Sequence, residues 1–284
     1  MFDSKKKIFH YIFISVIVAL VFAIDIDMPK AWTTYTNYNG VVMTRDEYLT
    51  LVNLGFTENE IYYMEEDIFN ENKDLDAELL LVDQKYYKTI YPTYGNSYTV
   101  EVTEDEYYNH DNNTLGTVTA NYRTIVSTIS ANGSYYRYKG TMSWNGIPSN
   151  KSYDVIGIGF SGRVHIYNGI TFYYSYTTSS GATTTSYSYF DKLYDSTGGT
   201  TTYKLPSSFI GESATMYFNV AKDSNAGTIT SLNMCADYAH ATQTVTGAQA
   251  ASHSIDIGGI HFDGSVINYF DNMPCASESL SVNW

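Results

Sequence analysis

The sequence predicts a mostly β protein, with a C-terminal antiparallel β-sandwich or jelly-roll-like domain preceded by a small helical N-terminal segment. Three observations lead there: apolar residues recur with a period of two beyond position 120, X-Gly pairs punctuate those runs, and two T-x-x-E patterns near the front open helical stretches. The chain has 284 residues, 44% of them apolar and only 5 of them Pro, which supplies material for a core and excludes a disordered or collagen-like chain.

The first element is an address. Lys5, Lys6 and Lys7 precede an apolar run over residues 8–23, and Val21 and Ala23 hold the −3 and −1 positions of a small-residue cleavage site. Residues 1–23 read as a signal peptide; the competing reading is an uncleaved anchor, since the run sits at the short edge of what spans about 30 Å of hydrocarbon. Export to an oxidising compartment makes a disulfide between Cys235 and Cys275 the expected state of the two cysteines. Neither belongs to a CxxC pair, so they do not read as a metal site.

Residues 24–85 read as an acidic helical segment. Positions 24–119 carry 19 acidic and 5 basic residues, against 10 and 8 from there to the end. Thr44-Arg45-Asp46-Glu47 and Thr57-Glu58-Asn59-Glu60 both match the capping box. Tyr48, Leu51, Val52 and Leu54 follow the first at helical spacing, Gly55 suits a left-handed C-terminal position, and Ile68 and Phe69 mark a third short helix. So small a unit must pack on something or fray. Residues 75–82 read as a helix end or a strand, and 86–119 as a partly ordered linker with Val100 and Val102 in a short strand.

Residues 120–284 read as the sandwich. On residues 135–144 one face carries Tyr136, Tyr138, Gly140, Met142 and Trp144, the other Tyr135, Arg137, Lys139, Thr141 and Ser143. Similar alternation places Ile156, Ile158 and Phe160 together, as it does Phe172, Tyr174 and Tyr176, and Met216, Phe218 and Val220. Turn pairs such as Asn132-Gly133, Asn168-Gly169 and Asp263-Gly264 divide the span into about eight to ten short strands. Trp144-x-x-x-Pro148 with the following Tyr153-Asp154-Val155-Ile156-Gly157-Ile158, and the Leu54-Gly55-Phe56-Thr57 segment, resemble stretches of uncharacterised exported proteins of Gram-positive bacteria. The resemblance implies export and a two-part layout, and that family offers no catalytic residue to carry over.

Composition and spacing bear on function. The acidic balance argues against a nucleic-acid partner, which needs a basic surface. Between positions 171 and 202, 16 of 32 residues are Ser or Thr, interleaved with Tyr and Phe. Tyr173, Tyr174, Tyr176, Tyr187 and Tyr189 are the candidate contacts of a flat Tyr- and hydroxyl-rich surface for a glycan or protein of the cell envelope or a host, because tyrosine joins an apolar ring to one hydrogen bond at low entropic cost. The main alternative is a membrane-active hairpin, with arms at 170–178 and 181–190, that resembles those of aerolysin-like toxins; membrane contact belongs only to that reading.

A secreted hydrolase is the second alternative. Gly159-Phe160-Ser161-Gly162 lacks the final glycine of a nucleophile elbow, whereas Asp237 and His240 are close enough in sequence for an acid to meet a base. His261 and Asp263, two apart on a strand, are the candidate metal ligands, with His253 and Asp256 nearby. No spacing implies a cofactor, and the expected location is extracellular. Mass spectrometry of exported protein is expected to find a start near Ile24; an intact Met1 would make the apolar run an anchor instead.

Overall fold

The computed structural model describes residues 33–91, 97–109, 119–148, 150–273 and 275–284; the signal-peptide expectation and part of the expected linker lie outside them. A small hairpin, β1 (Thr34–Thr36) and β2 (Val42–Thr44), leads into α1 (Arg45–Asn53). Thr44 Oγ1 accepts the Glu47 amide at 3.3 Å while the Glu47 carboxylate accepts the Thr44 amide at 2.7 Å, the reciprocal pair that a capping box requires. Thr57 and Glu60 repeat it at the start of α2 (Glu58–Tyr62), and α3 (Glu66–Asn72) follows. Gly55 between α1 and α2 has φ +83, and a Cβ there would run into the Thr128 side chain, so both backbone sign and close packing require glycine.

The chain then becomes strand. β3 (Ala77–Tyr91) is a single strand that crosses the expected boundary at residue 85, so the start of the expected linker belongs to a sheet. β4 (Tyr98–Val102), which contains Val100 and Val102, pairs with it, and the short α4 (Glu104–Asn109) follows. Next come β5 (Thr119–Asn132), β6 (Tyr135–Asn145), β7 (Tyr153–Ser161), β8 (Val164–Thr177), β9 (Thr183–Ser186), β10 (Asp191–Tyr194), β11 (Gly198–Lys204), β12 (Gly211–Lys222) and β13 (Ser231–Ala241). A one-turn α5 (Gly247–Ala250) precedes the hairpin β14 (His253–Asp256) and β15 (Gly259–Phe262), then β16 (Phe270–Asn272) and β17 (Ala276–Ser281).

Two antiparallel sheets result. One has seven strands in the order β4-β3-β5-β6-β12-β8-β9, the other six in the order β10-β11-β7-β13-β16, with β17 also pairing β13. Their facing sides enclose the main core: Ile125, Tyr138, Met142, Phe172, Met216 and Phe218 from the first meet Ile156, Ile158, Phe160, Met234 and Tyr238 from the second. The disulfide Cys235–Cys275, with Cα atoms 5.7 Å apart, ties β13 to the chain entering β17. Closing a loop of this 40-residue separation is worth about 4 kcal/mol in the chain-entropy model.

Both outer faces are covered as well. On the six-stranded sheet, Ile255, Ile260 and Phe262 of the β14–β15 hairpin pack with Ala250 against Val155 and Ala239. On the seven-stranded sheet, Leu51, Leu54, Phe56, Ile61, Ile68 and Phe69 of the helical unit pack against Tyr173 and Tyr217. This cover explains the polar face of β6. Arg137, Lys139 and Thr141 point away from the inter-sheet core and yet are buried, because the helices lie over them.

The contact is sealed by an ion pair. Lys139, 0% exposed, places Nζ 2.9 Å from Glu60 Oε2, 3.0 Å from the Gly55 carbonyl and 2.8 Å from Thr141 Oγ1. Glu60 Oε1 accepts from the hydroxyls of Thr141 at 3.0 Å and Thr215 at 2.8 Å. Burial pushes the Glu60 carboxyl up, but the Lys139 charge and the Thr57 amide outweigh it and hold it below its ordinary value.

Lys139→Met strands a buried carboxylate and is expected to cost about 3–5 kcal/mol in urea denaturation, with the double variant Lys139→Met/Glu60→Gln recovering part of the loss. A loss in the double variant equal to the sum of the losses in Lys139→Met and Glu60→Gln alone would show that the two groups are not coupled.

Candidate functional site

The outer face of the seven-stranded sheet is polar along its length, and the helices cover only part of it. Where they end, the strand register lines up one hydroxyl per strand: Ser143 on β6 faces Ser213 on β12, which faces Ser175 on β8, which faces Thr185 on β9. Neighbours in this row bond to each other, Ser143 to Ser213 at 3.1 Å and Ser175 to Thr185 at 3.0 Å. In the next row Thr177 and Thr183 pair at 3.0 Å, and Gly211 stands where a side chain would otherwise fill the floor. Asn59 and Tyr63 of the helical unit form the wall of the resulting cleft, of about 240 Å³. It is continuous with a narrower space under α2 and α3, bounded by Met64, Glu65, Ile68 and Tyr173.

Tyr63 is also the inner member of an aromatic group. Its ring lies 4.7 Å from that of Tyr62 and 5.2 Å from that of Tyr38 in edge-to-face contact, and Tyr38 and Tyr62 are 5.9 Å apart. Asn39 Nδ2 donates to the Tyr63 carbonyl at 2.8 Å, and the Tyr38 amide to the Tyr62 carbonyl at 3.0 Å, which fixes the β1–β2 turn against the end of α2. Tyr38 and Tyr62 remain 51% and 41% exposed.

The five tyrosines expected to share a recognition surface do not share one. Tyr173 and Tyr174 are adjacent on β8 and so point to opposite sides of the sheet, Tyr173 into the helix-covered core and Tyr174 into the inter-sheet core beside Tyr203 at 5.1 Å. Tyr176 stacks on Tyr174 at 6.0 Å and packs against the same core. Tyr187 donates to Asp67 Oδ1 at 2.8 Å and thereby holds the end of β9 against α3. Tyr189 is exposed, with Lys192 Nζ 4.3 Å from its ring centre. The hydroxyls of the same stretch, by contrast, do reach one face, as Ser175, Thr177, Thr183 and Thr185 of the cleft floor. Both arms of the expected membrane hairpin contain strands of the seven-stranded sheet, β8 and β9, paired from Tyr174–Ser186 to Thr177–Thr183.

The expected metal pair also separates. His261 Nε2 bonds to Asp256 Oδ1 at 2.9 Å, whereas Asp263 accepts from the Ser252 hydroxyl at 3.0 Å. His253 is buried with Nδ1 2.8 Å from the Ala250 carbonyl and Nε2 2.8 Å from Thr200 Oγ1, so both ring nitrogens are occupied. Among the described residues no three His, Cys, Asp or Glu side chains gather as a metal site would require. Asp237 does not meet His240; it accepts the amides of Tyr238 and Ile260, both at 2.7 Å, and burial raises it to about 6. His240 instead pairs with Asp154 at 3.0 Å in the inter-sheet core, where Tyr238 joins the Trp144 indole at 3.0 Å and also donates to Asp154. With His240 1% and Asp154 0% exposed, this group supports the core and does not meet solvent.

One carboxyl of that core stands apart. Glu212 lies on the inward side of β12, opposite Trp144 and Tyr176, and neither of its oxygens has a hydrogen-bond partner among the described residues. Burial first, and then the charge of Asp154, raises its pKa well above the ordinary value. Among the described residues, no helix is long and apolar enough to cross a membrane.

No family model matches the chain, and no curated protein does. Three solved structures resemble it weakly. The RrgA Jo.In complex is 12% identical over 56% of this chain and 79% of that one, with a TM-score of 0.31. The collagen binding domain of Erysipelothrix rhusiopathiae surface protein RspB is 6% identical over 57% and 66%, with a TM-score of 0.26. A pore forming protein is 9% identical over 72% and 94%, with a TM-score of 0.24. At these scores the likeness carries no argument about function, and what each neighbour binds or forms remains a property of that protein.

A carboxyl whose pKa is raised by folding favours the native state below its unfolded value near 4.3 and loses that contribution as pH rises toward its folded value. The Tm of the wild type is therefore expected to fall from pH 5 to pH 8 by more than that of Glu212→Gln. Parallel pH profiles for the two proteins would show that Glu212 is not held neutral in the core.

Proposed function

We propose that the protein is an exported binding module that works at the cell surface and holds a carbohydrate or protein ligand in the cleft between α2 and the hydroxyl row. The observation that carries this reading is the row itself, with Ser143, Ser213, Ser175 and Thr185 in register across four strands beside Asn59 and Tyr63. A row of hydroxyls open to solvent does nothing for the core. It does offer donors and acceptors that can turn to suit a ligand, on a rigid sheet that needs no ordering when the ligand arrives. The basic and apolar pattern of residues 1–23 and the Cys235–Cys275 bridge support an extracellular setting.

Gly211 supplies the test. Its φ is not left-handed, and the nearest atom to an added Cβ is the Trp144 carbonyl oxygen at 4.0 Å, so Gly211→Val fits the strand while filling the cleft floor. Retention of the purified protein on intact cells and on cell-wall and extracellular-matrix fractions is expected to be lost in Gly211→Val at unchanged Tm. Equal retention of wild type and variant would place binding elsewhere.

A further inference from the structure

We infer that the ligand of this cleft is a neutral polysaccharide, and that Tyr38 and Tyr62 form a second subsite in which a sugar ring further along the chain lies against aromatic faces. This rests on the cleft being the binding site. Four features of the molecule point to it.

The outward side chains of the floor are hydroxyls, while Trp144 and Glu212, which also border the cleft, belong by strand alternation to the inward side of β6 and β12. Every side chain of the row is Ser or Thr, each already in a hydrogen bond to its neighbour and each with capacity for another, as a hydroxyl has one proton and two lone pairs. Such groups match the hydroxyls of a sugar, which likewise donate and accept. The wall adds an amide, Asn59, and a phenol, Tyr63, which serve the same pairing.

Position also separates a glycan from a peptide. Peptides that bind sheets add to an exposed edge, where unpaired backbone groups supply the hydrogen bonds. This cleft lies on the face of the sheet, mainly over β6, β12 and β8, whose backbone groups are paired on both sides, and only its rim reaches the edge strand β9. A peptide there would meet separate side-chain hydroxyls in place of the continuous backbone ladder of an edge, and would pair only some of its amides, at a cost for each one left over.

Charge narrows the glycan to a neutral one. The helical wall carries Glu58, Glu65, Glu66 and Asp67, and the chain between positions 24 and 119 holds 19 acidic residues against 5 basic. Among the described residues no Lys or Arg lines the cleft. A uronate- or sulfate-bearing chain would be repelled, and no group on the cleft would compensate its charge.

The aromatic group extends the site. Tyr63 borders the cleft and touches Tyr62 of α2 and Tyr38 of the β1–β2 turn, two rings that are about half exposed and belong to no core cluster. Three mutually braced phenols give a platform with little rotamer freedom left to lose, which is what stacking on the apolar face of a pyranose needs. A polymer can bridge the hydroxyl floor and this platform with successive residues, and the gain from the second contact is then intramolecular.

The experiment is titration of the full exported chain with soluble neutral polysaccharides (laminarin, xylan, mannan and dextran), with polygalacturonate and hyaluronate as acidic comparators, using affinity electrophoresis and calorimetry. At least one neutral polymer is expected to bind and neither acidic one. Tyr38→Ala and Tyr62→Ala are each expected to weaken that binding about tenfold, as loss of one ring contact of about 1.4 kcal/mol would, and Tyr194→Ala, an exposed tyrosine on β10, to leave it unchanged. Acidic polymers binding as well as neutral ones, or neutral binding indifferent to both Tyr38→Ala and Tyr62→Ala, overturns the inference. If no polysaccharide binds while cell or matrix retention is still lost in Gly211→Val, the cleft reading stands, the glycan inference fails and a protein ligand takes its place; if Gly211→Val also retains normally, both fail.

Discussion

The layout of this molecule depends on one buried contact, the Lys139 ammonium against the Glu60 carboxylate between helices and sheet. A lysine in the middle of a central strand cannot stay dry and charged without a partner, and a short helical unit cannot stay folded without a surface. Each supplies what the other lacks. Glu60 is at once the capping residue of α2, the acceptor for Lys139 and the acceptor for two threonine hydroxyls of the sheet, so the helix start, the ion pair and the orientation of the unit are a single arrangement. Arg137 belongs to it too, stacked 4.6 Å from the Tyr217 ring and bonded to Asn72 of α3.

That contact also determines where a binding site is possible. The outward side of β6, β12 and β8 is largely polar, and under the helices, where Tyr173 and Tyr217 supply its apolar part, its polar groups are consumed by Glu60, Asn72 and Gly55. Beyond α2 the same faces continue with small hydroxyls, bordered among the described residues by Asn59 and Tyr63. The cleft is the part of a polar sheet face that the helical cover leaves open, and its wall is the edge of that cover. The acidic front segment, which carries most of the charge, is therefore a structural partner of the sandwich and a contributor of Asn59, Tyr63, Tyr62 and Tyr38 to its surface.

Much of this was legible locally. Both capping boxes form at the threonines that announced them, Gly55 takes the left-handed turn, and the inward set on β6 is the one that alternation marked, Tyr138, Met142 and Trp144. Val100 and Val102 lie in a short strand, and Cys235 and Cys275 are bridged. The site was legible only as composition. The density of Ser and Thr between 171 and 202 marked a hydroxyl-rich stretch that contains Ser175, Thr177, Thr183 and Thr185, but the residues singled out within it were tyrosines, and density does not say which of two adjacent residues faces which core. Tyr173 and Tyr174 went to opposite sides for that reason. Ser213, Ser143 and Asn59 come from distant positions, and only cross-strand register and helix docking bring them together.

By itself, the sequence determined what depends on neighbours within a few residues: helix starts, turn glycines, strand periodicity and the mostly β class. These follow from hydrogen bonds and side-chain direction over one turn or one pleat, which the order of residues sets directly. Tertiary structure decided the rest. It chose which polar face the helices would cover, paired Lys139 with Glu60 across 79 positions, aligned four hydroxyls from four strands and set Tyr63 above them. The physical reason is that burial and register are properties of surfaces brought together by folding, and a buried charge accepts whichever partner lies within reach, not one named by spacing.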